Sequence, residues 1–200
     1  DVPMQLTVHH PKVNVPVLWW RSVGSTHTAF VMETLIDEIA AATKQDPVDY
    51  RMALMDGDKG KRHRAALQLA VDQSGYGKKK LPAGTAWGVA VHESFESVVA
   101  YVVEAKLTGK GKERKPVLTA VTAGVHCNLC VNPRTVEAQV QGSVMMALAV
   151  SRVRLSGPER AVARRRRFQF TSCRATTRPR AWASPACRRW RRRLRMRLRS

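Results

Sequence analysis

SVVAYVVEAKLTGKGKERKPVLTAVTAGVH, residues 97–126, is the stretch whose reading decides the fold. Two Val-rich runs, SVVAYVVEAKL and PVLTAVTAGVH, flank TGKGKERK, a Gly/Lys segment at 108–115 that reads as a hairpin loop. A third β-rich run, AWGVAVHES at 86–94, precedes them, so the centre of the chain predicts an antiparallel-type sheet. Beyond the hairpin, VNPRTVEAQVQGSVMMALAV at 131–150 opens with Asn132 as cap and Pro133 at the first helical position, and predicts an amphipathic helix.

Upstream of the sheet the period changes to that of a helix. Ala29, Met32, Leu35, Ile36, Ile39, Ala40 and Thr43 fall on one helical face, with Glu33, Asp37 and Lys44 on the other. Ser25 or Thr26 is the expected N-cap of that helix. DPVDYRMALM, from Asp46, predicts a second helix with Asp46 as cap and Pro47 inside it. KRHRAALQLAVDQSGYG, from Lys61, predicts a third that stops at Gly75. Helices followed by an antiparallel-type β-sheet and a further helix make an α+β domain.

Charge divides the chain of 200 residues in two. Its formal charge of +20 suggests a nucleic-acid binder until it is counted by position. Residues 151–200 hold eighteen Arg, no Lys and one acid, Glu159, a balance of +17, which leaves +3 for residues 1–150. The Arg-rich tail has little apolar periodicity and is expected to be disordered, because it cannot bury enough surface to offset its ordering entropy. With Trp182 and Trp190 it gives one functional alternative: a basic protein that grips nucleic acid or an acidic surface through its tail. No stretch reaches the roughly eighteen apolar residues of a membrane span, and none reads as a signal peptide.

The candidate metal ligands are few. Cys127 and Cys130 in HCNLC have C-x-x-C spacing, but Cys173 and Cys187 lie singly in the tail, so the four read as incidental thiols rather than a zinc site. No two His are paired at i, i+4; His92 and His126 lie in strand patterns and read as structural, and only His27 is near a plausible site. That site is WWRSVGSTHTAF, residues 19–30. It is a short polar loop at a helix start, where a guanidinium and unpaired backbone N–H groups suit an anionic ligand.

Three runs carry a resemblance: WWRSVGSTHTAFVMETLIDEIAAATKQDPVDYR, LPAGTAWGVAVHESFESVVAYVVEA and VTAGVHCNLCVNPRTVEAQVQGS. Together they resemble the molybdopterin-binding large subunit of the xanthine dehydrogenase and aldehyde oxidase family, most closely the branch formed by the isoquinoline 1-oxidoreductase beta subunits. The resemblance covers residues 1–150, which would then be a partial molybdopterin-binding domain from the C-terminal part of a longer subunit. It implies an oxidoreductase that hydroxylates N-heteroaromatic compounds or oxidises aldehydes with water as oxygen source. The implied cofactor is molybdopterin in its cytosine dinucleotide form. The implied partners are an iron–sulfur small subunit carrying 2Fe-2S clusters, the remainder of the large subunit and a small substrate, with nucleic acid set aside. A periplasmic or membrane-associated location is likewise an implication of the resemblance.

Residue by residue, the family's Arg-x-x-Gly loop falls on Arg21 and Gly24, with Ser22 beside them, and its cofactor-contacting Gln, on the helix after an Asn-Pro, falls on Gln139. The family's catalytic base, a Glu in Gly-x-Gly-Glu, has no match in these 200 residues, so no catalytic residue is assigned and the fragment is expected to be inactive alone. The tail suggests why. In RAWASPACRRW, residues 180–190, codons read one base earlier are compatible with Gly-Val-Gly-Glu followed by Pro-Gly-Val-Pro-Pro-Val. Within that reading, Trp182 running into Ala183 is forced to Gly. GC-rich codons read out of register also yield Arg without Lys. The expected slip point is just after SVMMALAV, at residue 150.

Overall fold

The computed structural model describes residues 5, 7–10, 12–14, 20–109, 115–155 and 167–172. At its centre the expected sheet forms from β1 (Thr85–Ser94), β2 (Ser97–Thr108) and β3 (Lys115–His126), with β1 and β3 each antiparallel to β2. Phe95 and Glu96 join β1 to β2 as a two-residue turn with φ of 49° and 61°, the conformation that matches strand twist. Thr108 pairs with Lys115, so 108–115 closes the second hairpin as its sequence predicts, although 110–114 lie outside the described residues. A register shift at Glu104/Ala105 marks a bulge, and Thr119 Oγ1 donates to the Glu104 carbonyl across it (3.2 Å).

Both faces of the sheet are covered. α3 (Lys61–Ser74) lies on one face and brings Ala66, Leu67 and Ala70, all fully buried, against Val89, Val91, Val98, Ala100 and Val102. The small side chains of α3 allow close approach, and Gly124 of β3 completes it. A Cβ built at Gly124 would stand 2.1 Å from the Ala66 carbonyl oxygen, so the helix backbone rests directly on the strand. α4 (Pro133–Leu155) covers the other face, where Val140 packs with Ala123 and Val125, flanked by Val99, Tyr101, Cys127 and Val136. The alternation of β2 follows: Val98, Ala100 and Val102 serve the α3 face, Val99 and Tyr101 the α4 face.

α1 (Ser25–Ala42) and α2 (Pro47–Leu54) close the edge beside β1. Here the structure departs from the amphipathic reading. Glu33 and Asp37, placed by period on the polar face of α1, point inward to Arg51, whose side chain is only 1% exposed. Phe30, Val31, Met32, Leu35 and Ile39 are exposed, and Ala40 alone of α1 is buried. The reason lies in the sheet edge. β1 presents unpaired backbone donors, and Glu33 Oε2 accepts from the Val91 amide (2.8 Å) as well as from Arg51 Nε (2.9 Å). Satisfying an edge strand and a buried guanidinium turns the acidic face of α1 inward.

The expected caps divide in the same way. Asp46 Oδ1 accepts from Val48 N and Asp49 N, and Asn132 Oδ1 from Arg134 N and Thr135 N. Gly75 ends α3 with φ of 73°. Neither Ser25 nor Thr26 caps α1, whose N-cap is Gly24 with no side-chain bond. Within 151–200, α4 runs on to Leu155, and β4 (Arg167–Ser172) pairs parallel with β3, giving the order β1-β2-β3-β4. These two pieces are the described part of 151–200, and the rest of the Arg-rich tail, 156–166 and 173–200, lies outside the described residues. RFQFTS alternates Phe168 and Phe170 and is short enough for overall composition to hide it. A parallel pair needs a crossover, and α4 provides it.

Candidate functional site

The loop before α1 is a tight double turn. Val23 N donates to Trp20 O (2.9 Å) and Ser25 N to Ser22 O (2.9 Å), while Thr26 Oγ1 reaches back to the Arg21 carbonyl (2.8 Å). Ser22 and Val23 hold φ of 73° and 47°, a conformation that costs energy in a β-branched residue. Gly24 has ordinary helical angles, and open space lies where its Cβ would stand. Among the described residues nothing accepts from the amides of Gly24 and His27, which leaves two donors at the start of α1. Ser25 Oγ bonds Ser94 Oγ (3.1 Å) and ties the loop to the end of β1.

Arg21 leaves this loop and crosses to α4. Its Nη2 donates to Gln139 Oε1 at 2.7 Å, with a longer contact to the Gln139 carbonyl at 3.4 Å. Arg21 and Gln139, 118 residues apart in sequence, therefore meet in one exposed pair. One turn further along α4, Gly142 lies beside the guanidinium, where a Cβ would make ordinary contact with Arg21 Nη1 at 3.8 Å. Ser143, on the same helix face, bonds Tyr101 of β2 (2.9 Å). Ser143 Oγ already donates to the Val140 carbonyl (2.7 Å), so the Tyr101 hydroxyl is the donor of that pair. The chain Tyr101 to Ser143 to Val140 fixes the turn of α4 that carries Gln139. Burial pushes the Tyr101 phenol above its ordinary pKa, against a smaller opposing pull from the Arg21 charge.

Four candidate residues thus come from two elements: Arg21, Ser22 and Gly24 from the loop and Gln139 from α4. Arg21 and Gln139 touch; Ser22 supplies a carbonyl to the turn and has no described contact with α4. Trp19 lies outside the described residues. Sequence reasoning missed Gly142, Ser143 and Tyr101. The spacing i+3 and i+4 from Gln139 could have flagged the first two, whereas nothing in the strand pattern marks Tyr101. His126 is buried in β3, and its Nδ1 accepts from Arg62 Nε (3.3 Å), a structural role of the kind its strand position suggests. Cys127 and Cys130 are half-buried and form no disulfide among the described residues, where no cluster of three metal-ligating side chains occurs either.

No family model matches the chain. It is similar to the beta subunit of the isoquinoline 1-oxidoreductase of Brevundimonas diminuta, 28% identical over 154 residues, which cover 76% of this chain and 19% of that protein. A membrane-bound aldehyde dehydrogenase (pyrroloquinoline-quinone) of Gluconacetobacter polyoxogenes is 27% identical over 151 residues, covering 66% of this chain and 19% of its own length. The second of the lettered subunits of the nicotinate dehydrogenase of Pseudomonas putida is 26% identical over 157 residues, 72% of this chain and 13% of that protein. The chain therefore spans a fifth or less of the relatives it matches. Their names are those of oxidoreductases for aldehydes and N-heterocycles. All three likenesses support the family that the motifs resemble, the molybdopterin-dependent oxidoreductases, and single out no member of it.

Proposed function

We propose that residues 1–150 are part of the cofactor pocket of a molybdenum hydroxylase, an oxidoreductase for N-heteroaromatic compounds or aldehydes, and that the Arg21 loop and Gln139 contact a molybdopterin. The observation that carries this reading is the Arg21–Gln139 hydrogen bond of 2.7 Å, which joins the two family motifs into one surface. The donor set fits such a ligand: a guanidinium, a side-chain amide and the amides of Gly24 and His27 suit phosphate oxygens and a pterin carbonyl edge. When bound, the cofactor supplies the redox centre; Arg21, Gln139 and the loop amides hold and orient its polar edge. The cytosine dinucleotide form, and 2Fe-2S clusters on an iron–sulfur small subunit, belong to the same proposal.

The exposed apolar side chains of α1, Phe30, Val31, Met32, Leu35 and Ile39, support a partial pocket. They form a surface for the remainder of a longer large subunit to cover, in keeping with the small share of the relatives that this chain spans. An oxidised, fluorescent pterin phosphate titrated into the chain tests the proposal. Arg21→Ala and Gln139→Ala should each weaken binding by about tenfold, the equivalent of ~1.4 kcal/mol. Equal binding by all three proteins removes the pocket. Stronger binding of pyrroloquinoline quinone than of the pterin, lost in the same variants, replaces the cofactor and keeps the site.

A further inference from the structure

The contact between Arg21 and Gln139 has a chemical consequence for whatever binds there. A guanidinium has donors and no acceptor, so the Gln139 amide can face it in one orientation only, with Oε1 toward Arg21 and Nε2 away. Reversing the amide would set N–H against N–H. With Oε1 occupied at 2.7 Å, the outward part of Gln139 is its NH₂, which donates to no described residue. Nε and Nη1 of Arg21 likewise donate to none, and the loop adds only amides. We infer that Arg21 orients Gln139 with its NH₂ outward, so that this face favours ligand atoms that accept, oxyanion or carbonyl oxygens, over ligand groups that present N–H. A free Gln presents either end of its amide; with Arg21 in place the NH₂ faces outward and one Oε1 lone pair is taken. The inference rests on the pocket reading above and adds the polarity of its contacts. It makes Gln139 a specificity-determining residue and Arg21 both a contact and a positioning residue.

The test uses the full chain and inorganic pyrophosphate. It is read by nitrogen-15 NMR at the Arg21 Nε, Gln139 Nε2 and Gly24 amide signals, because the Arg-rich tail will also bind the anion. Gln139→Glu keeps a partner for Arg21 but turns a carboxylate oxygen outward, and it should weaken pyrophosphate binding at these sites by tenfold or more. Gln139→Ala removes the donor without adding repulsion and should lose less. Gln139 is exposed, so both variants should keep the thermal midpoint of the unaltered chain, which separates a binding effect from a folding one. Site binding that Gln139→Glu keeps overturns the donor orientation alone. Absence of pyrophosphate shifts at Arg21 and Gly24 in the unaltered chain overturns the pocket reading and the orientation with it.

Discussion

At the scale of single residues, two phenols tie α-helices to the sheet region through their hydroxyl protons. Tyr101 donates to Ser143 under the candidate site, and Tyr76 donates to Asp46 Oδ2 (2.9 Å) while packing tilted against Trp87, ring centroids 5.4 Å apart. Burial raises the pKa of both, with the Asp46 carboxylate adding to the rise at Tyr76. A phenol whose folded pKa lies above its unfolded value of about 10 stabilises the fold fully below that pH and loses the contribution as pH rises beyond it. Denaturant midpoints should therefore fall steadily above pH ~10, and Tyr76→Phe and Tyr101→Phe together should flatten that limb. An unchanged slope would show that neither hydroxyl is held in the folded state. Arg21 and Gln139 were legible as candidate site residues only through the family motifs; composition alone leaves both as solvated polar side chains. Their convergence was likewise implied only by those motifs, because nothing in the local sequence links positions 118 apart.

At the scale of elements, the sheet was readable and the orientation of α1 was not. Three Val-rich runs and two loops define β1 to β3 locally, and Asp46-Pro47 and Asn132-Pro133 mark helix starts by chemistry confined to a few residues. The inward face of α1 is set from outside it, by the bare edge of β1 and by Arg51 of α2, so helical period predicted the stripe and not the side it faces. Arg51 also donates to the carbonyls of Pro47 and Glu33, and its ion pairs with the mostly buried Glu33 and the half-exposed Asp37 complete the network around a buried guanidinium. Arg51→Met should cost roughly 3–5 kcal/mol, the effect of leaving a buried partner charge uncompensated. A loss below 1 kcal/mol in a denaturant melt would mean that α1 and α2 are held by something else. At the α3–β3 crossing, Gly124→Ala should destabilise by about 1–3 kcal/mol or more through overpacking against the Ala66 carbonyl. Stability equal to the unaltered chain would show that α3 stands off the strand.

At the scale of the whole molecule, an α+β body with both sheet faces covered carries its candidate site at one end, where the Arg21 loop, the Ser94 end of β1 and the first turns of α4 meet. The β4 segment was not legible in the tail, because the Arg-rich average composition conceals six residues of strand. We propose that the out-of-register stretch begins just after residue 150 and covers Arg180–Trp190. DNA sequencing of the locus should then show Gly-Val-Gly-Glu one base earlier across residues 180–184. A stop codon in that frame, or another reading, ends the proposal. The central claim is that loop and helix act on one ligand as a unit, and a double-mutant cycle over Arg21 and Gln139, read by affinity for the oxidised pterin phosphate, tests it most directly. If Arg21 orients Gln139 toward the ligand, Arg21→Ala and Gln139→Ala should be non-additive, with a coupling of about 0.5–3 kcal/mol between them. Strict additivity, or no loss in either variant, would contradict a shared site.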